Sequence, residues 1–197
     1  MMNLTFLNQE IQLENSKVLL TPFTEEKSKG LREIIFDTDI WEYMGICIST
    51  EKQFENYISD ILQNQFKNAY TFIITDKATN KTAGVTSYGN INFKSEKLEI
   101  GWTWYGKKFQ GTGLNKACKY ELLTYGFESI NVRRIQFSAD LENIKSQKAI
   151  EKLGATKEGI FRNNYIDSNS KSKDDVYYSI IKSEWSKIKE TRFGEFV

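Results

Sequence analysis

The sequence predicts a mixed α/β domain of the α+β class. Three features carry that reading. An amphipathic helical stretch ends near residue 66, and a run of β-type segments fills 69–106. Helix and strand periods then alternate after a glycine-containing turn at 110–115. Val18 to Pro22 reads as a first strand, and "TEEKSKGLREIIFDTDIWEYM" as a helical stretch with Leu31, Ile34 and Ile35 as its apolar stripe. In 49–66, Phe54, Tyr57, Ile58, Ile61 and Leu62 fall on one helical face, with Ser49 or Thr50 as cap. The segments 69–76, 82–93 and 97–106 read as strands, the last two joined by a hairpin turn at Lys94-Ser95-Glu96.

A helix at about 113–128 follows the glycines, with Leu114, Ala117, Cys118, Leu122 and Tyr125 at helical spacing. In 133–140, Ile135, Phe137 and Ala139 alternate inward against Gln136, Ser138 and Asp140. A helix at 144–153 is closed by Gly154 as its C′ residue. Strand-like runs at 157–166 and 175–182 and a short polar helix complete the order. With a single proline, no repeat and no low-complexity linker, the 197 residues read as one domain.

Composition removes whole classes of chemistry. Lys+Arg number 27 against Asp+Glu 26, a formal net charge of +1, so the basic excess of a nucleic-acid binder is missing. There is no histidine, which excludes Ser-His-Asp and Cys-His hydrolysis and HExxH zinc chemistry. Cys47 and Cys118 form no CxxC pair, so neither a disulfide framework nor a zinc cluster is expected. No apolar run is long enough for a membrane span, and a cytoplasmic setting is the expectation.

Gln110-Gly111-Thr112-Gly113-Leu114-Asn115 places bare backbone at a helix N-terminus, an arrangement suited to an anion, most often a phosphate. It does not spell the P-loop, and Lys116 stands where a dinucleotide fingerprint needs glycine. Alone, such a loop is also compatible with a tight turn.

Taken with the strand "LEIGWTWYG" before it, and with Asn143-x-x-Ser146 and Lys152-Leu153-Gly154-Ala155 after it, the loop resembles the GNAT N-acetyltransferases. The RimJ/RimL-type members are the nearest in pattern. The resemblance runs from about Val18 to about Lys189 and is sharpest between Glu99 and Arg162. It implies a central, mostly antiparallel sheet with splayed middle strands, with short extensions at either end of a core at 18–189. Asn115 departs from the family's Gly or Ala, which is read as a subgroup feature.

The same resemblance implies acetyl-CoA as acetyl donor, with its pyrophosphate on the backbone of Gln110, Gly111, Thr112, Gly113, Leu114 and Asn115, and no metal. Lys116 could add a contact or be solvated. The backbone of Thr103, Trp104 and Tyr105 would pair with the pantetheine arm, the side chains of Trp102 and Trp104 being ordinary strand packing. Asn143 is a ligand contact, an N-cap, or both. Many relatives carry a tyrosine acid where this chain has Ile150, so Ser146 is the candidate donor to the departing thiolate. Glu99 is the candidate general base, against its alternative as an ion-pair partner of Lys81, Lys94 or Lys97. The expected partners are acetyl-CoA and an amine, either a peptide N-terminus or a small molecule, without nucleic acid or membrane; a homodimer is left open. An acyl-CoA sensor without turnover and a nucleotide-binding regulatory domain are the competing classes. "DIWEYMG" (39–45) and "NNYIDSNSKSKDD" (163–175) are expected to shape the acceptor pocket, by analogy.

Overall fold

A computed structural model describes residues 2–67 and 69–196. Among the described residues the strands form one eight-stranded sheet. They are β1 (Leu13–Glu14), β2 (Val18–Pro22), β3 (Tyr70–Asp76), β4 (Lys81–Asn92), β5 (Lys97–Tyr105), β6 (Arg134–Asp140), β7 (Thr156–Ile166) and β8 (Ser172–Ile181). The spatial order is β1-β2-β3-β4-β5-β6-β8-β7. Every neighbouring pair is antiparallel except β5 and β6, which run parallel. Their pairing covers only Lys97–Glu99 against Arg134–Gln136. Beyond Glu99 the two strands diverge, so the middle of the sheet is splayed as expected.

The helices are α1 (Glu25–Ser28), α2 (Glu51–Asn64), α3 (Leu114–Thr124), α4 (Ile144–Lys152) and α5 (Lys182–Phe193). Thr50, not Ser49, caps α2. Its side chain accepts from the Gln53 N–H while Gln53 reaches back to the cap, a reciprocal box that satisfies two end donors. Phe54 is buried beneath the helix, which contributes roughly 1.5–3 kcal/mol. Parallel pairing of β5 and β6 requires a crossover, and α3 supplies it. Gly154, at φ +94°, ends α4.

The run between β2 and α2 is a correction. Instead of one helix it forms α1 and two short 3₁₀ turns, Lys29–Glu33 and Thr38–Trp41. The Asp37 side chain accepts from the Asp39 N–H and starts a new turn, a local bond that competes with helix continuation. Leu31, Ile34 and Ile35 are nonetheless buried. The helix predicted to 128 ends at Thr124 and continues as a π turn over Tyr125–Ile130. The N-terminal extension also does more than lead in: β1 joins the sheet and Met2 and Phe6 are buried in the core.

Helices α3 and α4 pack on one face of the sheet, where Gly126 meets Ile135 and Gln147 meets Tyr178. On the other face α2 meets β5 through Tyr57, whose hydroxyl accepts the Trp104 indole N–H at 2.9 Å, with Trp41 packed against both rings. Tyr57→Phe should therefore cost about 1–3 kcal/mol by urea unfolding, the penalty for a buried donor left without its acceptor. An unchanged midpoint would show that water substitutes for the phenol.

Candidate active site

The site is assembled where β5 and β6 part. At one end of the gap lies the glycine turn. After a 3₁₀ turn at Lys107–Phe109, Gly111 takes φ +77° and Gly113 φ +87°, left-handed values that only glycine adopts without strain. Gly113 is the N-cap of α3 and gives no side-chain cap. The Thr112 hydroxyl donates to the Phe109 carbonyl at 2.8 Å, bracing the turn from within. The N–H groups of Gly111, Thr112, Gly113, Asn115 and Lys116 have no acceptor among the described residues, while Leu114 N–H makes a long 3.4 Å bond to Thr112. The turn thus presents a row of open donors at the positive end of a helix.

Gln110 fastens the turn to its surroundings. It donates to the Tyr105 carbonyl at 3.1 Å and accepts from Lys145 of α4 at 2.6 Å. Lys116 is partly exposed and carries an ion pair. Its ammonium pairs at 2.5 Å with Glu195, and the hydrogen bond from the lysine, with its charge behind it, holds the Glu195 carboxyl below its ordinary range. Phe196 of the same C-terminal turn stacks on Tyr120 of α3.

At the other end of the gap stands Glu99, buried at 3 % exposure. Its carboxylate accepts from Asn90 Nδ2 (2.9 Å) and Gln136 Nε2 (2.8 Å) at Oε2, and from the Ser138 hydroxyl (2.7 Å) at Oε1. None of Lys81, Lys94 or Lys97 is bonded to it. That is a correction to the ion-pair alternative, because β6 brings neutral donors to the position instead. An ionised carboxylate offers about four acceptor sites, so three donors leave one, on Oε1. Gly101 keeps space beside that atom: a Cβ there would stand 3.6 Å from Oε1.

Between these ends, β5 makes a bulge opposite β4. Val85 pairs with Trp104 and Ser87 with Gly101, leaving Trp102 and Thr103 across from Thr86 alone. Trp104 and Tyr105 pair with β4 on one side and face the gap on the other. The Trp104 side chain is buried packing, as expected. Trp102 is not: it holds φ +50° and is 49 % exposed. Its ring lies flat enough on Gly89 that a Cβ there would sit 2.2 Å from it. The residue count of a bulge, invisible in the sequence, turns this indole outward next to Glu99, whose strand partner is Gly89.

Asn143 caps α4, its Oδ1 accepting from the Ser146 N–H at 2.9 Å. Ser146 is half-buried one turn into that helix, and Ile150 is buried in the core. Asp140, on the outward side of the alternation with Gln136 and Ser138, is instead buried at 4 %, accepting from the Tyr165 hydroxyl at 2.6 Å and the Glu142 N–H at 2.7 Å. The outward face of β6 is itself walled, by β7 and the segment before α2. Gly45 lies against Tyr165 and Ile166, so the two segments expected at the acceptor side do meet. Phe161 packs on Tyr177 at 4.3 Å along the same wall.

Cys118 is fully buried and burial pushes its thiol pKa up, the opposite of an activated nucleophile. A Cys47→Ala/Cys118→Ala protein should keep most of its activity. Loss of turnover with the fold intact, or a trapped acetyl-cysteine by mass spectrometry, would point instead to an acyl-enzyme.

A parallel strand–turn–helix–strand unit, splayed beyond a carboxylate and headed by an open N–H turn, defines an acyl-transfer fold. The chain belongs to the GNAT acetyltransferase family: the family model "Acetyltransferase (GNAT) domain" matches residues 17–156. Members of this N-acetyltransferase family take their acetyl group from acetyl-CoA. The chain is 37% identical over 103 residues to "Putative ribosomal N-acetyltransferase YdaF" of Bacillus subtilis (strain 168), a match spanning 52% of this chain and 55% of that one. It is 24% identical over 176 residues to "Uncharacterized N-acetyltransferase YnaD" of the same organism, covering 89% and 100%. A crystal structure of a GCN5-related N-acetyltransferase from Brucella melitensis superimposes with a TM-score of 0.87 at 22% identity, over 96% of this chain and 86% of that one, which is a likeness of fold. No helix among the described residues is long and apolar enough to cross a membrane.

Proposed function

We propose that the protein transfers the acetyl group of acetyl-CoA to a primary amine by direct attack, with donor and acceptor bound together. The observation that supports it most is the shared gap: an anion-suited turn at one end of the β5–β6 splay and a buried carboxylate with one free lone pair at the other. The open N–H groups of Gly111 to Lys116 suit a pyrophosphate, and no metal is called for. The backbone of Thr103 to Tyr105 lines the gap along which an extended thioester arm would lie. Asn143 and Ser146 flank it from α4, Asn143 keeping its amide nitrogen for a ligand while its oxygen caps the helix.

In the reaction the amine nitrogen attacks the thioester carbonyl carbon. The C–N bond forms, the C–S bond breaks, and the sulfur leaves as thiolate. The amine proton goes to Glu99 Oε1 through a water and on to solvent, and the thiolate, held by a hydrogen bond from the Ser146 hydroxyl, takes its proton from water. An α-amine, with an ordinary pKa near 8, needs less help than a lysine near 10.4. That favours peptide N-termini and weakly basic small amines as acceptors, and the word "ribosomal" in YdaF's name makes N-terminal peptides of ribosomal proteins the first to try.

The test is a screen of N-terminal peptides and small amines with acetyl-CoA, reading free thiol. Acceptor-dependent release is expected. CoA binding by calorimetry without product from any amine would make the protein an acyl-CoA sensor, a reading to which the apolar Ile150 lends weight.

A further inference from the structure

Lys119 is the one lysine of α3 that points into the molecule. It is 6 % exposed, and no carboxylate is bonded to it among the described residues. Its ammonium meets two hydroxyls instead, Thr103 Oγ1 on β5 at 2.7 Å and Thr86 Oγ1 on β4 at 3.3 Å. The two hydroxyls are 2.8 Å apart, and Thr103 Oγ1 donates onward to the Gly101 carbonyl at 3.2 Å. Either hydroxyl can donate in the Thr86–Thr103 bond; with the Thr103 proton on Gly101, Thr86 gives its own to Thr103, and both lone pairs of Thr103 are filled, one by Thr86 and one by Lys119.

These are the residues of the bulge. Gly101, Trp102 and Thr103 carry the extra residue of β5, and Trp102 is held in the left-handed region at φ +50°. A non-glycine residue stays there only when its surroundings over-determine it. From the front the Trp102 ring is seated on Gly89. From behind, the Lys119–Thr103–Gly101 chain clamps the backbone on either side of it.

We propose that Lys119 is a positioning residue for acetyl transfer: through the Thr103 hydroxyl it sets the β5 bulge, and with it Trp102 beside Glu99, presuming the acetyl-transfer reading above. A buried ammonium with only neutral partners is costly, because hydroxyls replace its hydration poorly. The groups around it offset that cost only in part, the Cys118 thiol favouring its charge less than burial disfavours it. Thr86 and Thr103 are uncharged, and the titratable neighbour bearing on its charge is the buried Cys118 thiol of its own helix. Burial pulls the lysine's pKa down to about 8 from its ordinary 10.5. The fold therefore keeps a group that weakens it, at the point where the strand must be bent.

The sign of that cost is fixed. Below about pH 8 both folded and unfolded chains hold the proton and the full penalty is present. Between about 8 and 10.5 the unfolded chain holds it more tightly, so the penalty is relieved as pH rises. Lys119→Met should thus have a Tm at pH 7 no lower than the parent's, with the parent catching up as pH climbs through that window.

The same variant should lower kcat by up to about 10²-fold, the scale of a small misplacement at a reacting centre, with little change in acetyl-CoA affinity by calorimetry. A structural readout needs no substrate. Trp41, Trp104 and Trp185 are buried at 2, 3 and 4 %, so acrylamide quenching reports Trp102, as Trp102→Phe would verify by abolishing the quenchable component. In Lys119→Met that component should become more accessible. Should Lys119→Met fail to fold, Thr103→Val removes the acceptor of the same bond at equal shape and should raise quenching likewise. Unchanged quenching and kcat in a folded variant would show that Lys119 merely fills space, and a Tm that drops at pH 7 would overturn the view that its burial weakens the fold. If the parent turns over no amine, the functional reading fails, while the quenching result still decides whether Lys119 sets the bulge.

Discussion

Glu99→Gln is expected to cut the acetyl-transfer rate about 10²-fold near neutral pH, the low end for a positioned general base. The amide has the carboxylate's shape and can still accept from Ser138 through its oxygen, but it cannot take a proton. It also sets its own NH₂ against Asn90 Nδ2 and Gln136 Nε2, both donors to Glu99 Oε2, so both of those amides must flip. Rotation of a side-chain amide is cheap compared with the lost base. Raising the pH should restore part of the rate, because more of the acceptor is then free amine. Wild-type turnover from pH 6.5 to 9 would mean that solvent takes the proton and that Glu99 serves only to tie β4, β5 and β6 together. A folding defect is distinguished by thermal unfolding measured alongside.

The second large effect is expected at Gly113. At φ +87° an L side chain costs about 1–2 kcal/mol, and a β-branched one is the worst case. Space is not the obstacle, since a Cβ would stand 3.5 Å from Lys17 Nζ, an ordinary contact. Gly113→Val would therefore escape by turning the backbone to negative φ, redirecting the N–H groups that head α3. Acetyl-CoA binding should weaken at least about tenfold, or about 1.4 kcal/mol. Gly113→Asn, whose side chain tolerates the left-handed region, should lose much less. Equal calorimetric affinity for the parent and a folded Gly113→Val would remove the turn from the donor site.

How much of this could be read from the sequence depends on the range of the forces involved. The β2, β3, β4 and β5 strands and α2 were legible because their apolar periods are local and their caps lie within three or four residues. The glycine turn was legible because only glycine serves there and two stand together. The stretch after Pro22 was not, since its apolar spacing fits a helix while Asp37 starts a separate turn by a bond two residues long. Glu99 was picked out by its place on the strand, yet its partners Gln136 and Ser138 lie 37 and 39 residues away and arrive only through the α3 crossover. Trp102 and Lys119 were beyond reach for the same reason. Whether an indole on β5 faces inward depends on one extra residue against β4, and a lysine between Cys118 and Tyr120 shows its burial only once the threonines of two strands are set behind it.

The short pairing of β5 with β6 has a mechanical meaning. Among the described residues, the ladder that pairs β5 with β6 across the sheet's centre covers three residue pairs, besides the Glu99 side-chain bonds to β6. Past them each strand is bonded on one side only, so the sheet has two rims in its interior as well as two at its margins. The sheet divides into two halves joined along a short seam that ends at Glu99, with α3 as the covalent strap between them. An extended guest lying in the cleft would bond to both rims and make the halves one body. A donor molecule bound in that way would stiffen the sheet, and the carboxylate stands at the end of the seam.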